Sequence, residues 1–232
     1  MNNLKLNLDN IRARIADACN EAGRDASEIR ILAVSKKHSV ERIRALHDLG
    51  QLSFGENYVQ EALTKMVFFK GREIQWHFIG PLQSNKTREI AEHFQWVQSV
   101  DRIKIMQRLS SQRPADLPAL NICIQVNIDL EPQKAGVPPD RVNEFVDTAL
   151  ALPGLRLRGL MAIPKAPSGR HDPSESHARM NTLFQGLIEA GVEMDTLSMG
   201  MSADLEAAIM HGSTMVRIGT DLLGPRPDSG AN

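Results

Sequence analysis

Short apolar runs alternate with helical patterns along the whole chain, and this alternation limits the possible folds more than any other feature. The runs predict strands at 29–34, 52–54, 74–79, 96–100, 120–126, 155–163, 196–199 and 215–218. Strands and helices that alternate at intervals of about 20 to 30 residues are typical of parallel βα units. Eight such units close most naturally into a (β/α)8 barrel. We therefore predict an α/β protein built as a single TIM-type barrel.

The two ends of the chain qualify this prediction. Leu8, Ile11, Ile15 and Cys19 recur at helical spacing, so an extra amphipathic helix is predicted before the first strand. Few residues follow the eighth strand, so the C-terminal end is shortened and the N-terminal helix is expected to cover the gap. The barrel is assigned to residues 1–227, and residues 228–232 are predicted to be a disordered tail. An open, doubly wound sheet is the alternative, but no GxGxxG motif opens the first unit.

Composition excludes several functional classes. The chain has 232 residues, which leaves little room for a second full-sized domain beside a barrel. Its 27 Lys and Arg residues nearly balance 28 Asp and Glu residues, so it lacks the basic surface typical of proteins that bind nucleic acids or membranes. The two cysteines are too far apart for a CxxC motif, and no apolar stretch is long enough to span a membrane. We expect a cytoplasmic, monomeric protein.

Lys36 is the first candidate for chemistry, because the active sites of such barrels lie at the carboxyl ends of the strands. It ends the run 31–36, and the alternation of side chains places it on the side shared by Leu32 and Val34. Burial at an apolar barrel mouth disfavours the charged ammonium, and a neutral amine can form a Schiff base. The alternative is a lysine whose stem packs on apolar surface while its ammonium reaches water.

Arg217 in the eighth strand lies on the face opposite Val216 and Ile218. If those two side chains pack against the helices, Arg217 points into the barrel, where an unpaired charge is costly. Its partner is then either a carboxylate of the protein or a group on a bound ligand. Gly219 and Thr220 follow, and their backbone amides could receive an anion at close range.

The segment from Ser198 to Ser202, after the seventh strand, points to the same anion. Gly200 permits the close approach of a ligand, and the segment leads into a predicted helix whose first N–H groups favour negative charge. Segments after strands seven and eight form the recurring phosphate site of TIM barrels. Ser202 is equally well explained as the N-cap of that helix.

Asn57, His77 and Asn127 also lie at predicted strand ends, but such side chains often only satisfy neighbouring polar groups. His77 is a lone histidine in an apolar strand and is at least as well explained as a core residue. No metal site is predicted, because the histidines lack HxxxH or HExxH spacing. The chain also has no GxSxG motif, Walker loop or Cys–His signature.

Several separated segments of the chain resemble one protein family. They are AVSK at 33–36, FGENYVQE at 54–61, WHFIGPLQSNK at 76–86, LSMGMS at 197–202 and MVRIGT at 215–220. The family is that of the pyridoxal phosphate homeostasis proteins, also called the proline-synthetase co-transcribed family, and the resemblance spans nearly the whole chain. It implies a (β/α)8 barrel similar to the N-terminal domain of alanine racemase, with pyridoxal 5′-phosphate (PLP) as the cofactor.

The resemblance also implies roles for single residues. Lys36 would form the covalent aldimine with PLP, and Arg217 would face the pyridine nitrogen. Asn57 and His77 would line the cofactor pocket. The residues expected around the phosphate are Ser198, Gly200, Ser202, Gly219 and Thr220. The chain departs from the family pattern at 37–38 and at 220–224, and the second departure lies beside the expected phosphate site.

The implied function is PLP binding in vitamin B6 homeostasis, without a dedicated catalytic turnover. A cationic Arg217 at the pyridine nitrogen disfavours protonation of the ring and weakens the ring as an electron sink. Racemisation of the alanine-racemase type resembles a scheme with two bases, of which the second is a tyrosine from another domain. The only tyrosine of this chain is Tyr58. PLP-dependent apoenzymes are the expected partners, and nucleic acids and membranes are not.

Two enzymatic functions remain as alternatives. An amino-acid racemase or lyase of the alanine-racemase type would use the same aldimine at Lys36. A class I aldolase-like barrel, considered without the resemblance, would also use a Schiff-base lysine at a strand end and a phosphate site after strands seven and eight. PLP colours a protein yellow, so colour separates the aldolase from the other two.

Overall fold

Eight parallel strands close into a barrel in the computed structural model, which describes residues 2–165 and 173–225. Each strand pairs with the next along the chain, and the eighth pairs with the first. The strands are β1 (Arg30–Val34), β2 (Ser53–Glu56), β3 (Gln75–Phe78), β4 (Trp96–Val100), β5 (Leu120–Val126), β6 (Leu155–Ala162), β7 (Thr196–Ser198) and β8 (Met215–Ile218). This closure confirms the predicted barrel and rules out the open sheet.

Helices follow the strands and cover the outside of the barrel. They are α1 (Asn2–Ala22), α2 (Val40–Asp48), α3 (Val59–Met66), α4 (Thr87–His93), α5 (Ile103–Gln112), α6 (Val142–Ala151), α7 (Pro173–Glu189), α8 (Leu205–Met210) and α9 (Thr220–Leu223). Spacings of three and four residues bury one face of each longer helix, as Ile105 and Leu109 do in α5. None of the described helices is both long enough and apolar enough to cross a lipid bilayer.

The strand predicted at 52–54 differs most from the structure, because β2 continues to Glu56. Gly55 and Glu56 interrupt the apolar run, yet both are buried and pair with β3. Hydrophobicity alone places a glutamate outside a buried strand. Here the ammonium of Lys65 lies 2.7 Å from Glu56 Oε1 and compensates the buried charge.

Side chains of each strand alternate between two layers of the core. Val216 and Ile218 of β8 belong to the outer layer, between the strands and the helices. Trp96, Cys123 and Met161 form a separate cluster on the inner side of the barrel. The alternation therefore turns Arg217 inward, as the sequence predicted.

The N-terminal helix α1 closes the outer ring where α9 provides only four residues. It packs against α2, α8 and α9, as expected. Its buried face includes Leu8, Ile11, Ile15 and Cys19. Arg14 of α1 also donates to the carbonyl oxygen of Ser202 at 2.8 Å, so this helix contacts a loop at the carboxyl end of the barrel. The predicted tail at 228–232 lies outside the described residues.

The prediction that Ser202 is the N-cap of α8 is wrong. The helix begins at Leu205, and Asp204 occupies the N-cap position. The carboxylate of Asp204 accepts a hydrogen bond of 2.7 Å from the Met201 amide, which closes a turn before the helix. Ser202 lies inside that turn and is therefore available to a ligand instead of to the helix.

Candidate functional site

A cavity of about 300 Å³ opens at the carboxyl ends of the strands, at the lower end of the range of small-molecule sites. Its polar lining consists of Lys36, Asn57, Ser202, Arg217, Gly219 and Thr220. Its apolar lining includes Val34, Ile79, Met161, Ile163 and Met201. The cavity thus brings together most of the site residues predicted from the sequence. They come from β1, β2, β7 and β8 or the loops that follow these strands.

Lys36 lies two residues beyond β1 and lines the cavity together with Val34. Its side chain is half-buried, which matches the inward position that the alternation predicts. The next residue, Lys37, is exposed and has a left-handed φ of 63°. Two adjacent lysines therefore have different surroundings, and Lys36 alone of the two reaches the cavity wall.

Arg217 is buried at the floor of the cavity and is held by neutral acceptors. It donates to the carbonyl oxygens of Ser198 and Ala162 at 2.7 and 2.8 Å, and to Ser198 Oγ at 2.9 Å. Within residues 2–165 and 173–225, no carboxylate forms an ion pair with it. Burial lowers the pKa of Arg217 to about 10, although the charge of Asp204 opposes the shift. The guanidinium therefore stays charged at neutral pH, and the internal carboxylate bridge that the sequence left open is not present among these residues.

Unused N–H groups from two loops lie on the same wall of the cavity. The backbone amides of Ser202, Ala203 and Thr220 donate to no other group in the described part of the chain. A Cβ atom added at Gly219 would meet only Val34, at 3.7 Å, so a ligand atom can approach the backbone there. Free backbone amides beside open space are suited to binding an anion such as phosphate.

Three predicted site residues do not line the cavity: His77, Ser198 and Gly200. Ser198 lies behind Arg217 and donates through Oγ to Gln98 Oε1 at 2.7 Å. Gly200 has a φ of 92°, and a Cβ atom there would lie 2.6 Å from the Cβ of Ala208. Its role is therefore to let α8 pack against the end of β7.

His77 lies one layer deeper and ends a chain of hydrogen bonds that starts at Arg217. Gln98 Nε2 lies 2.9 Å from His77 Nδ1, and the imidazole stacks on Trp96 with ring centroids 4.9 Å apart. Burial, followed by the charges of Arg30 and Arg158, holds the pKa of His77 well below its usual range. The ring is therefore neutral, and the interpretation of His77 as a core residue fits the structure better than a place in the pocket wall.

Gln98 is the residue of this site that sequence reasoning missed. It lies in the middle of β4, is fully buried, and joins Ser198 to His77 through its amide group. An amide among the apolar residues of a strand is the signal that could have found it, because buried polar groups need partners.

Asn57 lines the cavity from the end of β2, and its Oδ1 atom is buried without a hydrogen-bond partner in the described structure. It also borders a neighbouring cavity of about 380 Å³, whose wall includes Tyr58, Phe78 and Lys86. Tyr58 is 53% exposed and belongs only to this second cavity. The only tyrosine of the chain is thus separate from the wall that carries Lys36 and Arg217.

Other parts of the molecule offer less chemistry. A larger cavity of about 480 Å³ lies near the amino ends of β6 and β7, and its charged groups include the ion pair of Arg158 with Asp195. Across the described ranges, no three histidine, cysteine, aspartate or glutamate side chains are arranged to hold a metal ion. The cavity with Lys36 and Arg217 is therefore the strongest candidate site.

Comparison with protein families and known sequences gives one consistent result. The family model described as "Alanine racemase, N-terminal domain" matches residues 6–227. A pyridoxal phosphate homeostasis protein of Pseudomonas aeruginosa is 51% identical over 100% of this chain and 99% of its own length. Its counterpart in Escherichia coli K12 is 48% identical over 97% of this chain and 98% of its own length.

Solved structures agree with these sequence matches. PipY of Synechococcus elongatus, determined with PLP bound, has a TM-score of 0.79 and 33% identity, and the match covers 90% of this chain and 100% of PipY. An alanine racemase of Clostridium difficile has a TM-score of 0.77 at 16% identity. That match covers all of this chain but 59% of the racemase, so it shows a shared barrel fold only.

Proposed function

The chain belongs to the alanine racemase N-terminal domain family and, within it, to the pyridoxal phosphate homeostasis proteins, and from this membership we propose that it binds PLP in the cavity of Lys36. The observation that carries the proposal is a buried guanidinium, with no ion-pair partner among residues 2–165 and 173–225, that lines the same small cavity as Lys36. PipY, with PLP bound, is a structural relative with a closely similar fold.

The residues of the cavity fit the three functional parts of this cofactor. PLP supplies an aldehyde, which is an electrophile for an uncharged primary amine. Lys36 offers that amine from the end of β1. Arg217 would offer a fixed positive charge to the pyridine nitrogen, and the amides of Ser202, Ala203 and Thr220 would hold the phosphate.

Arg217 favours retention of the cofactor over catalysis. Because the guanidinium stays charged at neutral pH, it would donate to the ring nitrogen of bound PLP and oppose protonation there. A ring that is not protonated is a poor sink for electrons, which amino-acid chemistry on PLP requires. The protein is therefore proposed to hold and supply PLP, with no dedicated turnover.

The racemase alternative lacks support on the other face of the cavity. A racemase of the two-base type needs a second proton-transferring group within reach of the substrate. Tyr58, the only tyrosine of the chain, lines the neighbouring cavity.

PLP-dependent apoenzymes are the proposed recipients of the cofactor. A monomer is the proposed form, and size-exclusion chromatography with light scattering tests it. Two buried, unbridged cysteines favour a cytoplasmic location.

Borohydride reduction followed by peptide mapping tests the binding site. The purified protein with PLP should be yellow, and reduction should leave the phosphopyridoxyl group on the peptide that contains Lys36. Lys36→Ala should abolish the label, whereas the matched control Lys37→Ala should retain it, since Lys37 is exposed. A label on another lysine of the wild-type protein would overturn the assignment.

Chiral analysis of amino acids tests the absence of turnover. L-Alanine incubated with the PLP-loaded protein should invert no faster than L-alanine incubated with free PLP in buffer. Inversion that depends on Lys36 and exceeds this rate many-fold would replace the proposed function with that of a racemase.

A further inference from the structure

The main chain before Lys36 is bound by a buried lysine of α3. Lys65 Nζ donates to the carbonyl oxygen of Ser35 at 2.8 Å. The same ammonium donates to Glu56 Oε1 at 2.7 Å and to Glu61 Oε1 at 2.6 Å. Its three protons are therefore all used, one on the peptide group next to Lys36 and two on carboxylates.

The main chain after Lys36 is bound to the same cluster. The amide of Lys37 donates to Glu61 Oε1, the oxygen that also contacts Lys65. Lys37 has a φ of 63°, a conformation that residues other than glycine rarely adopt without support from their surroundings. Both peptide neighbours of Lys36 are thus attached to one group of charges.

Burial makes this cluster expensive unless it is complete. The side chain of Lys65 is 7% exposed and that of Glu56 is fully buried. Ser35 Oγ adds a hydrogen bond of 2.6 Å to Glu56 Oε1. Removing Lys65 leaves the buried carboxylate of Glu56 without a cation, which is more costly than never having the pair. The main chain at Ser35 is therefore held by Lys65, and the main chain at Lys37 is held by Glu61 of the same cluster.

We propose that Lys65, Glu61 and Glu56 are positioning residues, which fix the main chain on both sides of Lys36 so that its amine points at the cofactor aldehyde. This inference rests on the proposed binding of PLP at Lys36. The covalent step joins the Lys36 nitrogen to the aldehyde carbon as a C=N bond and releases one water molecule. The cluster takes no part in that exchange and acts through the geometry of the segment 35–37.

Two ligands separate positioning of Lys36 from general support of the cavity. PLP depends on both the cavity and the reach of Lys36, whereas pyridoxine 5′-phosphate has the same ring and phosphate but no aldehyde. Loss of positioning should therefore weaken PLP and leave pyridoxine 5′-phosphate unchanged. Loss of the cavity should weaken both.

Lys65→Met, Lys65→Arg and Glu61→Gln are compared with wild type by mixing apoprotein with each ligand and following cofactor absorbance or protein fluorescence. In Lys65→Met the rate of C=N bond formation should fall about tenfold or more, because small misplacements of a reacting group are costly. Glu61→Gln keeps an acceptor for the Lys37 amide and should lose less, about threefold. Lys65→Arg should recover part of the rate. Pyridoxine 5′-phosphate affinity should stay within twofold in every variant.

Arg158→Met serves as the control for a general loss of stability, because it breaks an ion pair at the opposite end of the barrel. This variant should be less stable yet bind PLP at the wild-type rate. If Lys65→Met does not fold, Glu61→Gln decides the question, since its side chain is 27% exposed. Wild-type rates in the folded variants, or a parallel loss of both ligands, would overturn the inference. Failure of wild type itself to attach PLP at Lys36 would instead overturn the proposed function.

Discussion

Arg158 and Arg217 lie at opposite ends of the same barrel and have opposite surroundings. Arg158, near the amino end, donates to both carboxylate oxygens of Asp195, one of them at 3.0 Å, and to Asn121 Oδ1 at 2.9 Å. Its guanidinium also lies 4.6 Å from the centre of the Trp96 ring. Arg217, at the carboxyl end, has two carbonyl groups and one hydroxyl as partners. Among the residues that the structure describes, Arg158 is paired with a carboxylate and Arg217 is not.

The difference separates stability from function within one fold. A buried cation without an acid costs free energy that the folded protein must offset elsewhere. Arg158 avoids this cost, so its role is complete within the protein itself. Arg217 keeps this cost at the wall of a cavity, and we propose that a bound ligand is its partner. Stability alone would favour a carboxylate partner for both arginines, as Arg158 has in Asp195.

Replacing each arginine by methionine should give the largest effects and opposite outcomes. Arg217→Met removes the charged hydrogen bond that we propose to the cofactor, so PLP affinity should fall about 10- to 100-fold. The free energy of unfolding of the apoprotein should change little, because relief of an unpaired buried charge offsets the lost hydrogen bonds. Arg158→Met should reduce stability and leave PLP affinity within twofold. Equilibrium dialysis with PLP and urea unfolding of the apoproteins measure the two quantities.

The comparison would fail if the two variants behaved alike. Equal loss of PLP affinity would mean that the amino end contributes to the site through the hydrogen bonds that link Arg217 to His77. A large loss of apoprotein stability in Arg217→Met alone would mean that its carbonyl contacts matter more than its charge.

Low pH should reduce the stability that Asp195 gives to the amino end of the barrel. This effect should be smaller than that of replacing either arginine. Burial alone would raise the pKa of Asp195, but hydrogen bonds from Arg158 and Thr196 and the charges of Arg158 and Arg30 outweigh it and lower the pKa. A lowered pKa in the folded state means that the stabilisation is complete above the unfolded pKa of about 4 and is lost as the pH falls through the folded value. Asp195→Asn should therefore cost about 1 kcal/mol at pH 7 and less at low pH, since the carboxylate is half-exposed.

Urea unfolding of wild type and Asp195→Asn at a series of pH values measures this dependence. PLP binding at pH 7 serves as the control and should be the same in both proteins. A constant difference in stability across the series would show that the carboxylate charge is not what Asp195 contributes.

The inward positions of Lys36 and Arg217 could be predicted from the sequence because two simple rules act on single strands. Alternation decides which side chains point inward, and the barrel decides which strand end carries the site. Both rules depend on local sequence and on the number of βα units. The cavity, which contains both residues, agrees with these expectations.

The supporting residues could not be found in this way, because closure of the barrel brings them together. Gln98 of β4 contacts Ser198 of β7, 100 positions away in the chain. Lys65 lies on the buried face of α3 together with Val59 and Ala62, where helical spacing predicts an apolar side chain. Its partner Glu56 breaks an apolar strand in the same way. Each is explained only by the other.

Two hydroxyl groups of β7 give the smallest and sharpest test of the two ends. Ser198 Oγ accepts from Arg217, and Thr196 Oγ1 accepts from Arg30, an arginine that faces Trp96 at the amino end. Ser198→Ala removes the hydrogen bond from Arg217 to Ser198 Oγ and the one from Ser198 Oγ to Gln98 Oε1, but it leaves Arg217 its two carbonyl partners. PLP affinity should therefore fall only a few-fold, which corresponds to about 1 kcal/mol. Thr196→Val should lower stability by a similar amount and leave PLP affinity unchanged. The absorbance maximum of bound PLP should shift in Ser198→Ala alone, because of the two hydroxyls only Ser198 contacts Arg217, the proposed partner of the ring nitrogen. A spectral shift in Thr196→Val would show that the two ends of the barrel are coupled and that the amino end also affects the absorbance of the cofactor.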